Sequence, residues 1–265
     1  MSAIARRAVT AEWTKLRSMP STTWTALAVV GITVGLTAFM ASTSSTDANQ
    51  AGGLPGDDDV VANALFGVWL GQVAMVALGA LAATSEFATG TIRATLSAIP
   101  RRGVAFGAKV TIVAGIAFAI GAVTSVASFL VAQPLQHGNG YNAPAYPHVS
   151  LTDPLVLRAV VGTALYLTLL ALFAMGVAAI VRHTAAATTV AVTLVLAPTV
   201  VLGFFTGTIR EVLQWLSPVA GMSIQVTRDR FDNPPYGPWV GLGLTAAWAI
   251  GALLVGAWLW RRRDA

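Results

Sequence analysis

The sequence has no cysteine, only two lysines, Lys15 and Lys109, and only 10% charged residues in a chain of 265. Each shortage excludes something. Without cysteine there are no disulfides, thiolate metal sites or thiol nucleophiles. The phosphate-cradling pattern G-x-x-x-x-G-K-[ST] needs a lysine directly after glycine. Lys15 follows Thr14 and Lys109 follows Ala108, so the chain has no such loop, and its short connections leave no room for a nucleotide-binding domain. A soluble domain carries about 25% charged residues, so this surface is not the mixed-charge kind that water requires. A soluble enzyme is strongly disfavoured.

What the sequence has is apolar length, with 55% hydrophobic residues. Six segments are long enough and free enough of charge to cross a bilayer, at about 20 apolar residues per crossing. They are Thr22–Ala41, Val61–Ala83, Val104–Ala132, Leu155–Val181, Ala185–Thr206 and Trp239–Trp260. Only a helix or a closed barrel satisfies its own backbone in hydrocarbon. Continuous runs exclude a barrel, whose strands alternate with period two. The expectation is an all-α polytopic membrane protein forming a single transmembrane domain over 1–265. The first run is too long for a signal-peptide core and reads as a retained span.

Orientation follows from the basic residues. Twelve of the sixteen fall on one side: Arg6, Arg7, Lys15 and Arg17 in the N-terminal arm, Arg93, Arg101, Arg102 and Lys109 around the loop after span two, then Arg182 and Arg261–Arg263. Arg158, Arg210, Arg228 and Arg230 fall on the other. Both termini are therefore expected in the cytoplasm. No Asp or Glu lies inside a span, which disfavours a proton-driven secondary transporter. Lys109 and Arg158 lie near span ends, where snorkelling explains them.

Few residues outside the spans suggest chemistry. His137, His148 and His183 lack metal-ligand spacing and read as loop residues. Asp57–Asp59 read as a solvated acidic tip, with a divalent cation as the lesser alternative. The pairs Gly31/Gly35, Gly67/Gly71, Gly103/Gly107 and Gly203/Gly207 permit close helix approach, although about two such pairs are expected by chance among the 25 glycines. Pro198 is expected to kink span five. At helical spacing Ala5, Val9, Trp13 and Leu16 share one arc, with Arg6, Arg7, Thr10 and Arg17 elsewhere, so residues 1–20 suit an amphipathic helix at the membrane interface. Trp13, Lys15 and Arg17 are its interfacial residues. Glu12 falls beside the apolar arc; it is either solvated or paired with Lys15, Arg17 or Arg93.

The connection 84–103 begins TSEFATGTIRATLSAIPRR, with Gly90 breaking the pattern and Thr91–Ala98 able to form a short helix before Pro100. It resembles the first cytoplasmic loop of permease subunits of type-2 ABC exporters. There an acidic residue precedes an aromatic, two variable positions, Gly-Thr, an aliphatic and a basic residue. Here these are Glu86, Phe87, Ala88, Thr89, Gly90, Thr91, Ile92 and Arg93. The segment Ala11–Ser18 looks like the N-terminal helix of actinobacterial members, and the six-span plan with a long 207–238 interval is similar too.

The resemblance implies that this loop holds a coupling helix seated in a separate ATPase subunit. Glu86 and Arg93 would be its polar anchors, Gly90–Thr91 its turn, and Ile92 and Leu96 its partner-facing apolar positions, with Phe87 and Arg101 in the same set. It further implies that the external segment 207–238 forms two short helices dipping back into the membrane, broken at Ser217-Pro218. Val212, Leu213, Trp215, Leu216, Val219, Met222 and Ile224 would be buried or in lipid, with the charged residues from Arg210 to Asp232 at headgroup level.

Two permeases, identical or homologous, would share one path lined by spans two and five, for which Trp69, Gln72, Thr189 and Thr193 are the candidates. Two ATPase subunits would bind the Mg-ATP, so no catalytic residue, metal or cofactor is expected in this chain, and no nucleic acid partner. An amphiphilic drug, peptide or lipid is the expected cargo. The alternative is a non-transporting membrane scaffold or an intramembrane enzyme.

Overall fold

The computed structural model describes residues 3–18, 20–44, 58–88, 90, 102–146, 148–228 and 234–262, with the side chains of 3–5, 86–88 and 102 outside that set. It is all-helical, with no strand among the described residues. The helices are α1 (Ala3–Ser18), α2 (Pro20–Thr43), α3 (Val60–Ala64), α4 (Val68–Ala88), α5 (Arg102–Gly138), α6 (Pro154–Val181), α7 (Thr184–Leu202), α8 (Gly207–Trp215), a 3-10 helix at Ala220–Gln225, and α9 (Pro238–Arg262). Six of them, α2, α4, α5, α6, α7 and α9, are long and apolar enough to cross a membrane. The chain is thus a multi-pass membrane protein.

Helix α6 is the axle of the bundle, packing against α4, α5 and α9. Of its most apolar stretch 72% is buried, against 17% for α7. Small residues allow the close approaches. A Cβ at Gly79 of α4 would strike the Ala171 carbonyl of α6, and one at Gly176 of α6 would strike the backbone of Ala252 in α9. Tyr166, Leu167, Leu170 and Phe173 fill the centre with Met75, Val76, Val113 and Ala117.

The two ends differ in what they gather. At one end α1 meets α5, and the close of α9 returns to the start of α5, with Phe106 and Trp260 ring centroids 5.6 Å apart. Arg182, in the left-handed cap of α6, donates to the Leu259 carbonyl at 3.4 Å. This terminal end holds both ends of the described chain. The opposite, loop end holds α3, the 139–153 connection, α8 and the 3-10 helix, over a second apolar cluster of Ala41, Val61, Leu65, Phe129 and Val156.

Several boundaries move. The span expected from Val61 is interrupted at Leu65–Gly67, and α4 begins only at Val68. Asp59 caps the separate α3, accepting from Ala62 N at 3.0 Å, and Thr37 Oγ1 accepts from Gly67 N at 3.1 Å. A Cβ at either Gly67 or Gly71 would run into Thr33, so this pair is a true crossing of α2 and α4. Gly31, Gly35 and Gly107 face nothing within 4 Å. Helix α5 runs 37 residues, about 55 Å, well beyond a hydrocarbon core of about 30 Å. Helix α7 contains Pro198 and stops at Leu202, before Thr206, in a turn at Gly203–Phe204.

Candidate functional site

The terminal end is built around a buried ion pair. Lys109 Nζ lies 3.0 Å from Glu12 Oε2, with side chains 3% and 7% exposed. The snorkelling expected of Lys109 is therefore corrected, and so is Glu12 as a solvated residue, whereas Arg93 lies outside the described residues. The buried stripe of α1 is Ala8, Glu12 and Leu16, at i, i+4 and i+8. Val9 lies at its edge, and Trp13 is 47% exposed. Lys15 is half-buried and Arg17 exposed. A buried pair of this kind holds only while both charges are present, so it fixes α1 against the third spanning helix.

That fixed corner borders the connection between α4 and α5. Helix α4 continues past its apolar run to Ala88, carrying Glu86 and Phe87 on its last turn. Gly90 is exposed with φ +68°, in the left-handed region glycine favours. Thr91, Ile92, Arg93, Leu96 and Arg101 lie outside the described residues.

The four candidate path residues are not brought together. Gln72 is fully buried inside the helix bundle, where it accepts from Tyr166 Oη at 2.6 Å and donates to the Trp69 carbonyl at 3.1 Å. A buried tyrosine hydroxyl requires such a partner, and Gln72 supplies it instead of facing a path. Trp69 is 39% exposed, on the rim of a cavity at the loop end. Thr189 and Thr193 lie on the exposed face of α7.

The interval after α7 forms two short helices, with Ser217-Pro218 in the break between them. The 3-10 helix is wedged between α6 and α9. Thr245 Oγ1 accepts from Gly221 N at 2.9 Å and donates to the Pro218 carbonyl at 2.8 Å. A Cβ at Gly221 would press on the Tyr166 ring, and Tyr166 stands twelve residues into α6, about 18 Å along its axis. The segment thus turns back deep between two spanning helices. Val219 and Ile224 are buried there, whereas Ile209, Val212 and Trp215 of α8, with Leu216 just after it, present an exposed apolar face.

Two adjoining cavities flank this wedge. One, of about 320 Å³, lies among Trp69, Thr199, Arg210, Gln214, Met222 and Tyr236. The other, of about 400 Å³, is lined by Arg158, Thr227 and Arg228, and shares Ser223 and Tyr236 with the first. Tyr236 Oη donates to the Gln214 carbonyl at 3.2 Å, and burial pushes its phenol up to about 12.

Asp59 corrects a further expectation. It is 3% exposed, and its oxygens accept from Thr227 N at 2.6 Å, Thr227 Oγ1 at 2.7 Å and Arg228 N at 3.0 Å, besides capping α3. Asp58 lies 3.5 Å from the Tyr141 and Tyr146 hydroxyls, and burial followed by the Asp58 charge raises the Tyr141 phenol. The tip is a structural clasp rather than solvated acid; Asp57 lies outside the described residues. His137 and His148 rings stack at 4.8 Å, and His183 caps α7. Among the described residues no group of three metal-binding side chains occurs.

The arrangement therefore offers a rigid corner beside an inter-helix connection at one end and a cleft beside a re-entrant segment at the other. No protein-family model matches the chain, and no curated protein matches it.

Proposed function

We propose that the chain is the transmembrane permease subunit of an ATP-binding cassette exporter in a bacterial cytoplasmic membrane, with its termini inside. It works as a dimer, with itself or a homologous permease, and is driven by two separate ATPase subunits that bind the Mg-ATP. The observation that carries this reading is the terminal corner. There α1 is fixed to α5 by a buried ion pair, beside the connection that bears the Glu86–Arg93 motif. A partner closing on that connection would move α1, α4 and α5 together, which a solvated loop would not transmit. The re-entrant wedge between α6 and α9 supports the same reading, since it gives the far end a part able to shift with those helices. An amphiphilic drug, peptide or lipid suits a path bordered by apolar spans.

The test is co-expression with the ATPase encoded in a neighbouring reading frame, where one is found. The proposal expects a stable complex whose ATP turnover changes with candidate cargo. A chain that purifies alone and leaves the turnover of that ATPase unchanged contradicts it.

A further inference from the structure

The second cavity and a groove beneath it form a polar head and an apolar tail on the same pair of helices. Arg158, one turn into α6, donates through Nη2 to the Val226 carbonyl, while its Nε is buried without an acceptor. Among the described residues no carboxylate pairs with it. The cavity it lines also has Arg228 and Thr227 on its wall and, among the described residues, no acidic side chain. Asp59 lies close by, but both its oxygens are occupied by Ala62, Thr227 and Arg228 donors. The described wall of the cavity thus carries two guanidinium groups, at the end of a spanning helix.

Deeper on the same helices lies a groove of about 320 Å³, bounded by Leu165 and Leu169 of α6 and by Trp239, Leu242, Gly243 and Ala246 of α9. At about 100° per residue, Leu165 and Leu169 fall within about 20° of Arg158 around α6. Leu165 stands about 10 Å further along the axis. A Cβ on Gly243 would meet nothing within 4 Å, so the groove is open there.

We propose that this pair of features is a phospholipid site, with the phosphate at Arg158 and one acyl chain in the α6–α9 groove. Charge complementarity selects the headgroup. A guanidinium with spare donors in a poorly hydrated setting matches a phosphate oxyanion, which takes two parallel hydrogen bonds. The stacked groove selects the lipid over a free anion, because a soluble phosphate has nothing to place there. The proposal stands independently of ATP-driven transport.

The experiment uses the full chain in nanodiscs containing a phosphatidylglycerol with a diazirine on its acyl chain, with the crosslinked peptides mapped by mass spectrometry. Label is expected on α6 around Leu165–Leu169 and on α9 around Trp239–Ala246. Arg158→Gln should reduce it about tenfold, as expected for loss of a charge-assisted hydrogen bond. Gly243→Trp, which fills the groove without touching Arg158, should reduce it similarly and decides the matter if Arg158→Gln does not fold. Unlabelled phosphatidylglycerol should compete, whereas inorganic phosphate and a diacylglycerol without phosphate should not. Wild-type labelling in both variants overturns the proposal. Competition by inorganic phosphate would make the site one for a free anion, and equal competition by diacylglycerol would make it a plain apolar groove; either result also overturns it.

Discussion

The two buried carboxylates, Glu12 at the terminal end and Asp59 at the loop end, are held in opposite ways. Glu12 meets a single ammonium, that of Lys109, at 3.0 Å. Asp59 takes three backbone N–H groups and the Thr227 hydroxyl. The first arrangement depends on two side chains 97 positions apart in sequence, so one substitution strands the other charge. The second satisfies backbone donors that would otherwise be buried unpaired, so it locks the segment after the 3-10 helix onto α3. One end is tied by charge, the other by neutral donors around a charge. The ion pair fixes a helix, and the three hydrogen bonds to Thr227 and Arg228 give the cavity beside that loop a fixed wall.

The largest effect is expected at Asp59. Asp59→Ala leaves the N–H groups of Ala62, Thr227 and Arg228 without their acceptor, at about 1–3 kcal/mol for each buried group. Thermal unfolding in detergent should show a loss of at least about 3 kcal/mol, with Asp59→Asn intermediate because it keeps one acceptor oxygen. Next comes Lys109→Met, which leaves the Glu12 carboxylate buried and unpaired, at about 3–5 kcal/mol. The double variant Glu12→Gln with Lys109→Gln should recover most of that loss, and a double-mutant cycle reads the coupling. A cycle with no coupling would erase the contrast between the two ends.

Smaller effects sharpen the comparison from outside the two acids. Tyr166→Phe removes the hydroxyl that donates to Gln72 Oε1 and should cost about 1–2 kcal/mol, with no change at either end. Tyr236 gives the mildest signal. Its phenol is raised by burial to about 12, so the folded state favours the neutral form. The stability this contributes is present below pH of about 10 and is lost as pH rises from there toward 12. A difference titration of wild type and Tyr236→Phe at 295 nm should place this one phenol above the free-tyrosine range. A midpoint near 10 would mean that the loop-end cavity is wetter than its geometry indicates.

Length and apolarity made the six crossings legible, and the span Leu155–Val181 matches α6 to within one residue, because nothing but packing competes with helix formation in so uniform a run. The break at Leu65–Gly67 was not legible. It comes from Thr33 and Thr37 on a different helix, which no local pattern reveals. The Glu12–Lys109 pair left a trace: two opposite charges stranded on apolar helix faces near the same membrane surface. Read separately, each had an ordinary local explanation. Gln72 was misplaced for a similar reason, since its partner Tyr166 is remote in sequence. The two short helices around Ser217-Pro218 were expected from the resemblance alone, with the proline a local feature that suits the break.

The central claim is that the connection after α4 passes motion between an ATPase and these spans. The direct measurement is transport-coupled ATP turnover in the reconstituted complex, comparing wild type with Arg93→Glu at equal insertion and equal ATPase association. The account predicts that the variant still binds the ATPase and loses the turnover response to cargo. An unchanged response, with normal association, would contradict it.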